Sequence, residues 1–194
     1  MEPGQTYHIF NHANGGENLF RDEENYRFFL QQYNKYLENA VDTYAYSLMP
    51  NHFHFLVGVR SENRLRSTFP KFETLEKLVT RQFANFFSSY TQAFNKVYQR
   101  RGSLFIKNFK RTPILSEQQW QETFLYIHFN PVKHGFVKTH TIWKWTSWRE
   151  YQNSSRPSRL NREYFLNFFD DWEQVENLME AKIEWLINKD LESI

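Results

Sequence analysis

The stretch "MPNHFHFLV" (Met49 to Val57) sets two imidazoles, His52 and His54, around one phenylalanine inside an apolar run. A run of this length and composition suits a strand, in which residues i and i+2 face one side. The two Cα atoms then lie roughly 6.5–7 Å apart, so both rings can aim at one divalent metal while Phe53 faces the other way. A lone pair of this kind is weak evidence, because surface and core histidines show the same spacing. Two imidazoles also leave most positions of a six-coordinate Mg2+ or Mn2+ open. Further donors are concentrated in "FLYIHFNPVKHGFV", which holds His128, Asn130 and His134, with Gln121 shortly before it. On a helix Tyr126 and Asn130, four residues apart, share a face from which His128 is offset. A phenol and an amide oxygen facing a histidine pair suggest phosphoryl chemistry, with the metal polarising a phosphate that the tyrosine attacks. Other tyrosines compete: Tyr90 and Tyr98 lie near basic residues, while Tyr7, Tyr33, Tyr44 and Tyr46 suit core or sheet-face roles.

These residues need a scaffold, and the local patterns supply one. "YHIFNHA" alternates as a strand from Tyr7 to about Ala13, broken by "NGGEN". Asp22 to about Asn39 is predicted helical, with Tyr26, Phe29, Leu30, Tyr33 and Leu37 on one stripe. Val41 to Leu48 and His52 to Val59 read as two strands joined by the turn "MPN". Phe72 to about Tyr98 reads as a long helix with the stripe Leu75, Leu78, Val79, Phe83, Phe86 and Phe87. A strand is expected over about Leu104 to Ile114. A helix follows, capped by Ser116 with Gln119 in the capping-box position. It is expected to stop at about Phe129, since Pro131 disfavours helical backbone at Asn130. The order β-α-β-β-α-β, then α, gives an α+β fold: a ferredoxin-like antiparallel sheet with helices on one face. The extra helix carries Tyr126 and Asn130, and the second face is left for a ligand. Residues 1–138 form the expected catalytic domain. Residues 139–194 form a C-terminal extension, irregular at first and then an acidic amphipathic helix with Trp172, Val175, Met179, Ile183 and Leu186 on its stripe.

Composition narrows the chemistry. At 194 residues the chain suits one domain with an added segment. Aromatic residues make up 19% of it, 20 of them Phe, which chiefly predicts an aromatic core. The absence of cysteine excludes disulfides, thiolate nucleophiles and cysteine-based zinc sites. With no membrane-length apolar run and no signal-peptide pattern at the N-terminus, a soluble cytoplasmic protein is expected. The net charge of +2 conceals a division: eight acids against two lysines from Asp170 onward leave that tail at −6, so the first 169 residues carry +8. Lys77 to Ser116 holds eight basic residues and no acid, which points to a polyanionic partner.

The blocks "MPNHFHFLV", "RRGSLFIKNFKR", "YIHFNPVKHGFV" and "WKWTSWREY" lie in that order and resemble the IS200-like tyrosine transposases, most of all their REP-associated branch. The resemblance spans about Tyr7 to Tyr151. It implies that the family's histidine–hydrophobic–histidine motif falls on His52, Phe53 and His54, its nucleophile on Tyr126, and its third metal ligand on Asn130, where some relatives carry Gln. The implied activity is metal-dependent cleavage and rejoining of single-stranded DNA through a covalent 5′-phosphotyrosine at a hairpin-forming end. The implied partner is single-stranded or hairpin DNA, with a homodimer left open.

Arg100, Arg101, Lys107, Lys110 and Arg111 are the expected phosphate contacts. On a regular strand Lys107 and Lys110 would face opposite sides. Trp143, Trp145 and Trp148 are either stacking platforms or core. The acidic tail either covers the basic face or, more plainly, packs its apolar stripe on the domain or on a second subunit. Two alternatives remain: a hairpin DNA or RNA binder without chemistry, and a structural zinc–histidine protein.

Overall fold

The computed structural model describes residues 1–71, 74–153 and 155–192. Four antiparallel strands, β1 (Thr6–His12), β2 (Val41–Met49), β3 (His52–Val59) and β4 (Lys110–Pro113), form one sheet in the order β2-β3-β1-β4. With α1 (Glu23–Leu37) and α3 (Leu75–Val97) as its crossovers, this is the predicted ferredoxin-like arrangement. A short helix that the sequence did not announce, α2 (Glu62–Thr68), leads into α3. The predicted start of that long helix at Phe72 lies outside the described residues.

Both crossovers bury their stripes on one sheet face. Phe29 and Tyr33 of α1, and Leu78, Val79, Phe83 and Phe86 of α3, are almost wholly buried with Phe53 and Phe55 of β3. Asp22 caps α1, its carboxylate accepting from the Asn25 N–H at 3.0 Å. The abundance of phenylalanine is thus spent mainly on this core.

The other face, expected to be left open for a ligand, is instead covered in part by α4 (Glu117–Lys133), whose apolar side chains pack on it. Ser116 caps it as predicted, accepting from the Gln119 N–H at 3.1 Å, while Gln119 accepts from the Leu115 N–H at 2.8 Å. The helix does not stop at Phe129; it runs through Asn130 and Pro131 to Lys133. Burial of Phe129, Asn130 and Pro131 holds the last turn helical against the local preference of the proline. A second core gathers here: Trp120, Phe124 and Ile127 of α4 meet Ala45 and Leu56 of the sheet, and Trp148, Val175 and Met179 of the extension.

The extension packs on the domain. Thr146 bridges to Ser47 and Leu160 to Thr43, both on β2. The acidic helix Trp172–Glu192 buries Val175 and Met179, and Lys182 sits 5.7 Å from the centre of the Phe129 ring. The side chain of Leu186, placed on this stripe by the sequence, lies outside the described residues. No helix among the described residues is long and apolar enough to cross a membrane.

The strand expected over Leu104–Ile114 is shortened to β4. Phe105 makes an isolated bridge to Ala13, and Asn108 then takes a left-handed backbone, φ 65°, before pairing with β1 resumes at Lys110. The backbone reversal breaks the alternation that an unbroken strand would impose.

Candidate active site

Strand register assembles the first half. β1 and β3 pair with His12 opposite His52, Phe10 opposite His54 and His8 opposite Leu56. Directly paired residues share a face, so β1 adds His8 and His12 to the side that bears the predicted pair. Two-residue turn geometry sets the lead-in. The carbonyl of Pro50 accepts from the N–H groups of Leu19 and Phe20, and that of Asn51 from Ala13. The Asn51 side-chain oxygen then lies 2.7 Å from His52 Nδ1. With Nδ1–H donating there, the neutral ring presents a bare lone pair at Nε2. His54 is held from the other side, its Nδ1 2.9 Å from Nε2 of His8.

Helix α4 lays the second half across these rings. Tyr126, Asn130 and His134 follow at intervals of four, one stripe of the helix and its C-cap. The Tyr126 ring stands edge-on to His54, centroids 5.6 Å apart, and to His8 at 6.0 Å. One end of the stripe further on, His134 stands edge-on to His52 at 4.9 Å. Asn130 is bracketed between them and wholly buried. Its Nδ2 donates to the Tyr126 carbonyl at 2.9 Å, and its Oδ1 has no partner among the described residues. His52 Nε2 is buried and unpartnered in the same way. A buried acceptor left bare costs free energy unless something outside the chain meets it. The histidine pair and the tyrosine–asparagine pair therefore come together within one chain.

The electrostatics favour neutral rings. Burial pushes His8 down to about 4 and His52 down to about 3, the latter helped by nearby His12 and His134. Burial holds His54 well below its ordinary value, with His8 and His52 adding to the effect. Neutral imidazole is the form that ligates metals. Among the described residues no three His, Cys, Asp or Glu side chains converge as a metal cage. A metal held here by three protein groups would draw its third donor from the Asn130 amide.

No protein-family model matches the sequence. No curated protein matches it either. Among solved structures the chain is similar to a REP-associated tyrosine transposase bound to a REP hairpin, with TM-score 0.59 and 17% identity, covering 81% of this chain and 85% of that one. The two share a fold.

Other residues singled out from the sequence fall elsewhere. His128 is not a ligand candidate: it is fully buried, with Nδ1 3.0 Å from the Phe124 carbonyl and Nε2 2.7 Å from Ser147 Oγ, and it ties α4 to the extension. Gln121 is likewise committed, donating to the Phe168 carbonyl. The competing hydroxyls are engaged too: Tyr90 donates to the Leu19 carbonyl, Tyr98 to Asp22, and Tyr33 bonds Thr43. The Tyr126 hydroxyl has no hydrogen-bond partner among the described residues, and Lys133 lies 4.9 Å from its ring centre. No local pattern in the sequence singles out His8 and His12. Their matching parity on β1 was visible there, whereas the register that sets them beside His52 and His54 was not.

The basic block forms a groove of about 960 Å³ between α3 and residues 103–111, lined by Thr91, Gln92, Ser103, Lys107, Lys110 and Arg111 among others. Lys107 and Lys110 both line it, against the expectation of opposite faces, because the turn at Asn108 interrupts the strand. In the β4 register Lys110 pairs with Phe10, which pairs on its other side with His54, whereas Arg111 pairs with Ile9. This edge therefore joins the groove to the histidine face. Arg101 is exposed. Arg100 differs from the rest: it is paired with Glu17 and bonded to Asn95 at 2.5 Å, with only 15% of its side chain exposed. Of the three tryptophans, Trp148 is core and Trp145 stacks on Tyr26 at 4.5 Å, leaving Trp143 half-buried.

Proposed function

We propose that this chain cleaves and rejoins single-stranded DNA at a hairpin-forming end, with Tyr126 as nucleophile and Mg2+ or Mn2+ held by His52, His54 and Asn130. The observation that carries the reading is the pair of buried, unpartnered acceptors, His52 Nε2 and Asn130 Oδ1, beside a tyrosine hydroxyl with no partner among the described residues. The donor set of two neutral imidazoles and an amide oxygen fits a divalent cation. Bound there, the cation would polarise a phosphoryl oxygen as a Lewis acid.

The chain's own groups do the rest. Asn51 and His8 orient the two histidines, and α4 fixes Tyr126 against His54. Attack by the phenolic oxygen forms a Tyr126–phosphorus bond and breaks the bond from phosphorus to the 3′-oxygen. The phenol loses its proton, and the departing 3′-oxygen takes one up. Lys133 places a positive charge near the ring as negative charge develops on it. The phosphodiester energy is kept in the protein–DNA link, so a second 3′-hydroxyl can reverse the step without ATP. Lys107, Lys110 and Arg111 track the strand's phosphates along the groove and over the β4 edge. That the solved structure of the same fold is bound to a hairpin supports this class of partner.

One observation favours a second reading, a hairpin binder without chemistry: no third imidazole or carboxylate completes the candidate metal set among the described residues. Labelled hairpin oligonucleotide with the wild type and Tyr126→Phe, each with Mn2+ or EDTA, separates the two. A denaturing gel should show a protein–DNA adduct for the wild type with metal alone. Equal adduct from both proteins removes Tyr126 as nucleophile. Hairpin binding indifferent to EDTA, with no adduct, supports the binder.

A further inference from the structure

Ring contacts continue beyond the candidate metal site. From His52 they pass to His134 at 4.9 Å, from His134 to Phe136 at 6.5 Å, and from Phe136 to Trp143 at 5.7 Å with the planes 31° apart. The outer end of this series is open: Phe136 is 39% exposed, and Ile142, which precedes Trp143 in the chain, is 55% exposed. It is also held in place. Gly135, φ 71°, turns the chain out of α4, and the Phe136 N–H donates to the Pro131 carbonyl at 2.9 Å. The Trp143 indole N–H donates to the Leu48 carbonyl at 3.0 Å. A fixed aromatic ring left facing water beside a candidate phosphate site marks a place for something flat.

The surrounding charge says what. Residues 123–149 contain no Asp or Glu but carry Lys133, Lys138, Lys144 and Arg149. Lys144 is paired with Glu23, and Arg149 is turned toward the carbonyls of Thr141 and Ile142. Lys133 and Lys138, both exposed, flank Phe136 in the chain. Cations beside an open ring suit a nucleotide, whose base stacks while its phosphates meet the ammonium groups. Base-paired DNA keeps its faces stacked on its own neighbours, so the base that fits is an unpaired one.

We propose that Phe136 and Trp143 form a stacking ledge for an unpaired nucleobase next to the scissile phosphate. The inference rests on the strand-cleavage reading above and adds where the single-stranded flank of the hairpin sits. Stacking on a ring tolerates any base, so the ledge selects for single-strandedness and leaves sequence to other contacts.

The test uses the full chain carrying Tyr126→Phe, so that no strand is cut. The probes are hairpins with a short single-stranded flank, 2-aminopurine at successive flank positions, and the same hairpins without a flank. Fluorescence should be quenched at one flank position. Adding Phe136→Leu should abolish that quench and weaken flanked hairpins about tenfold. Phe136→Trp, which keeps a ring, should retain both, and flankless hairpins should bind all three proteins alike. The ledge is overturned if Phe136→Leu keeps the quench and the affinity, or weakens flanked and flankless hairpins equally. Failure of the parent protein to bind any hairpin overturns the DNA reading itself, and the ledge with it.

Discussion

His54 Nδ1 lies 2.9 Å from Nε2 of His8, a contact made across the β1–β3 pairing. If His54 offers its other nitrogen to a metal, Nδ1 must carry the proton, and His8 is its acceptor. Partners of this kind set ring orientation and ligand basicity. His8→Phe should weaken Mn2+ binding about tenfold by titration calorimetry, with the circular dichroism spectrum unchanged. His8→Gln, which keeps an acceptor, should recover most of the loss. Equal affinity in His8→Phe would remove His8 from this role.

In the proposed metal site Asn130 would contribute a neutral amide where many metal sites carry a carboxylate. Asn130→Asp should tighten Mn2+ binding. Without metal it should lower the melting temperature by about 5 °C, because a wholly buried carboxylate then lacks a partner. Melting curves with Mn2+ and with EDTA read both effects, and the gap between the two curves should be wider than in the wild type.

His128 links stability to pH away from the candidate metal site. Burial pushes it down to about 3 from an ordinary 6.5. Above pH 6.5 the ring is neutral in both folded and unfolded chains. Below that, the unfolded chain takes up a proton that the folded one refuses, so stability falls with pH until about 3. This one ring should remove about 2 kcal/mol between pH 6.5 and 5. Denaturant titrations of His128→Gln at pH 7 and pH 5 should show a smaller loss than the wild type.

Arg100 and Arg111 sit in one basic block yet should behave differently. Arg111→Gln should lower hairpin affinity and reduce the salt dependence by about one ion, leaving the melting temperature in place. Arg100→Gln should lower the melting temperature, because it unties Glu17 and Asn95. Salt titrations of binding, run beside melting curves, distinguish the two roles.

What the sequence made legible was what depends on neighbouring residues. The turn in "MPN", which the fold narrows to Pro50 and Asn51, the stripes of α1 and α3 and the cap at Ser116 are local patterns, and each is present in the fold. Tyr126 and Asn130 shared a face by spacing alone. Events between distant segments were not legible. The passage of α4 through Pro131 follows from burial against the sheet and extension. The turn at Asn108 left only four residues of a longer expected strand in β4. His8 reaches His54 through a strand register, and Arg100 meets Glu17 across 83 positions of sequence. In both cases the partner is chosen by topology.

The two halves of the candidate site lie on β3 and α4 of the same polypeptide, and His128 fastens that helix from behind through Ser147. In the proposed function every residue named for it comes from that one polypeptide. Cleavage would therefore be first order in protein, its rate per molecule unchanged on dilution as long as DNA stays bound. Whatever association brings two DNA ends together would then govern joining alone.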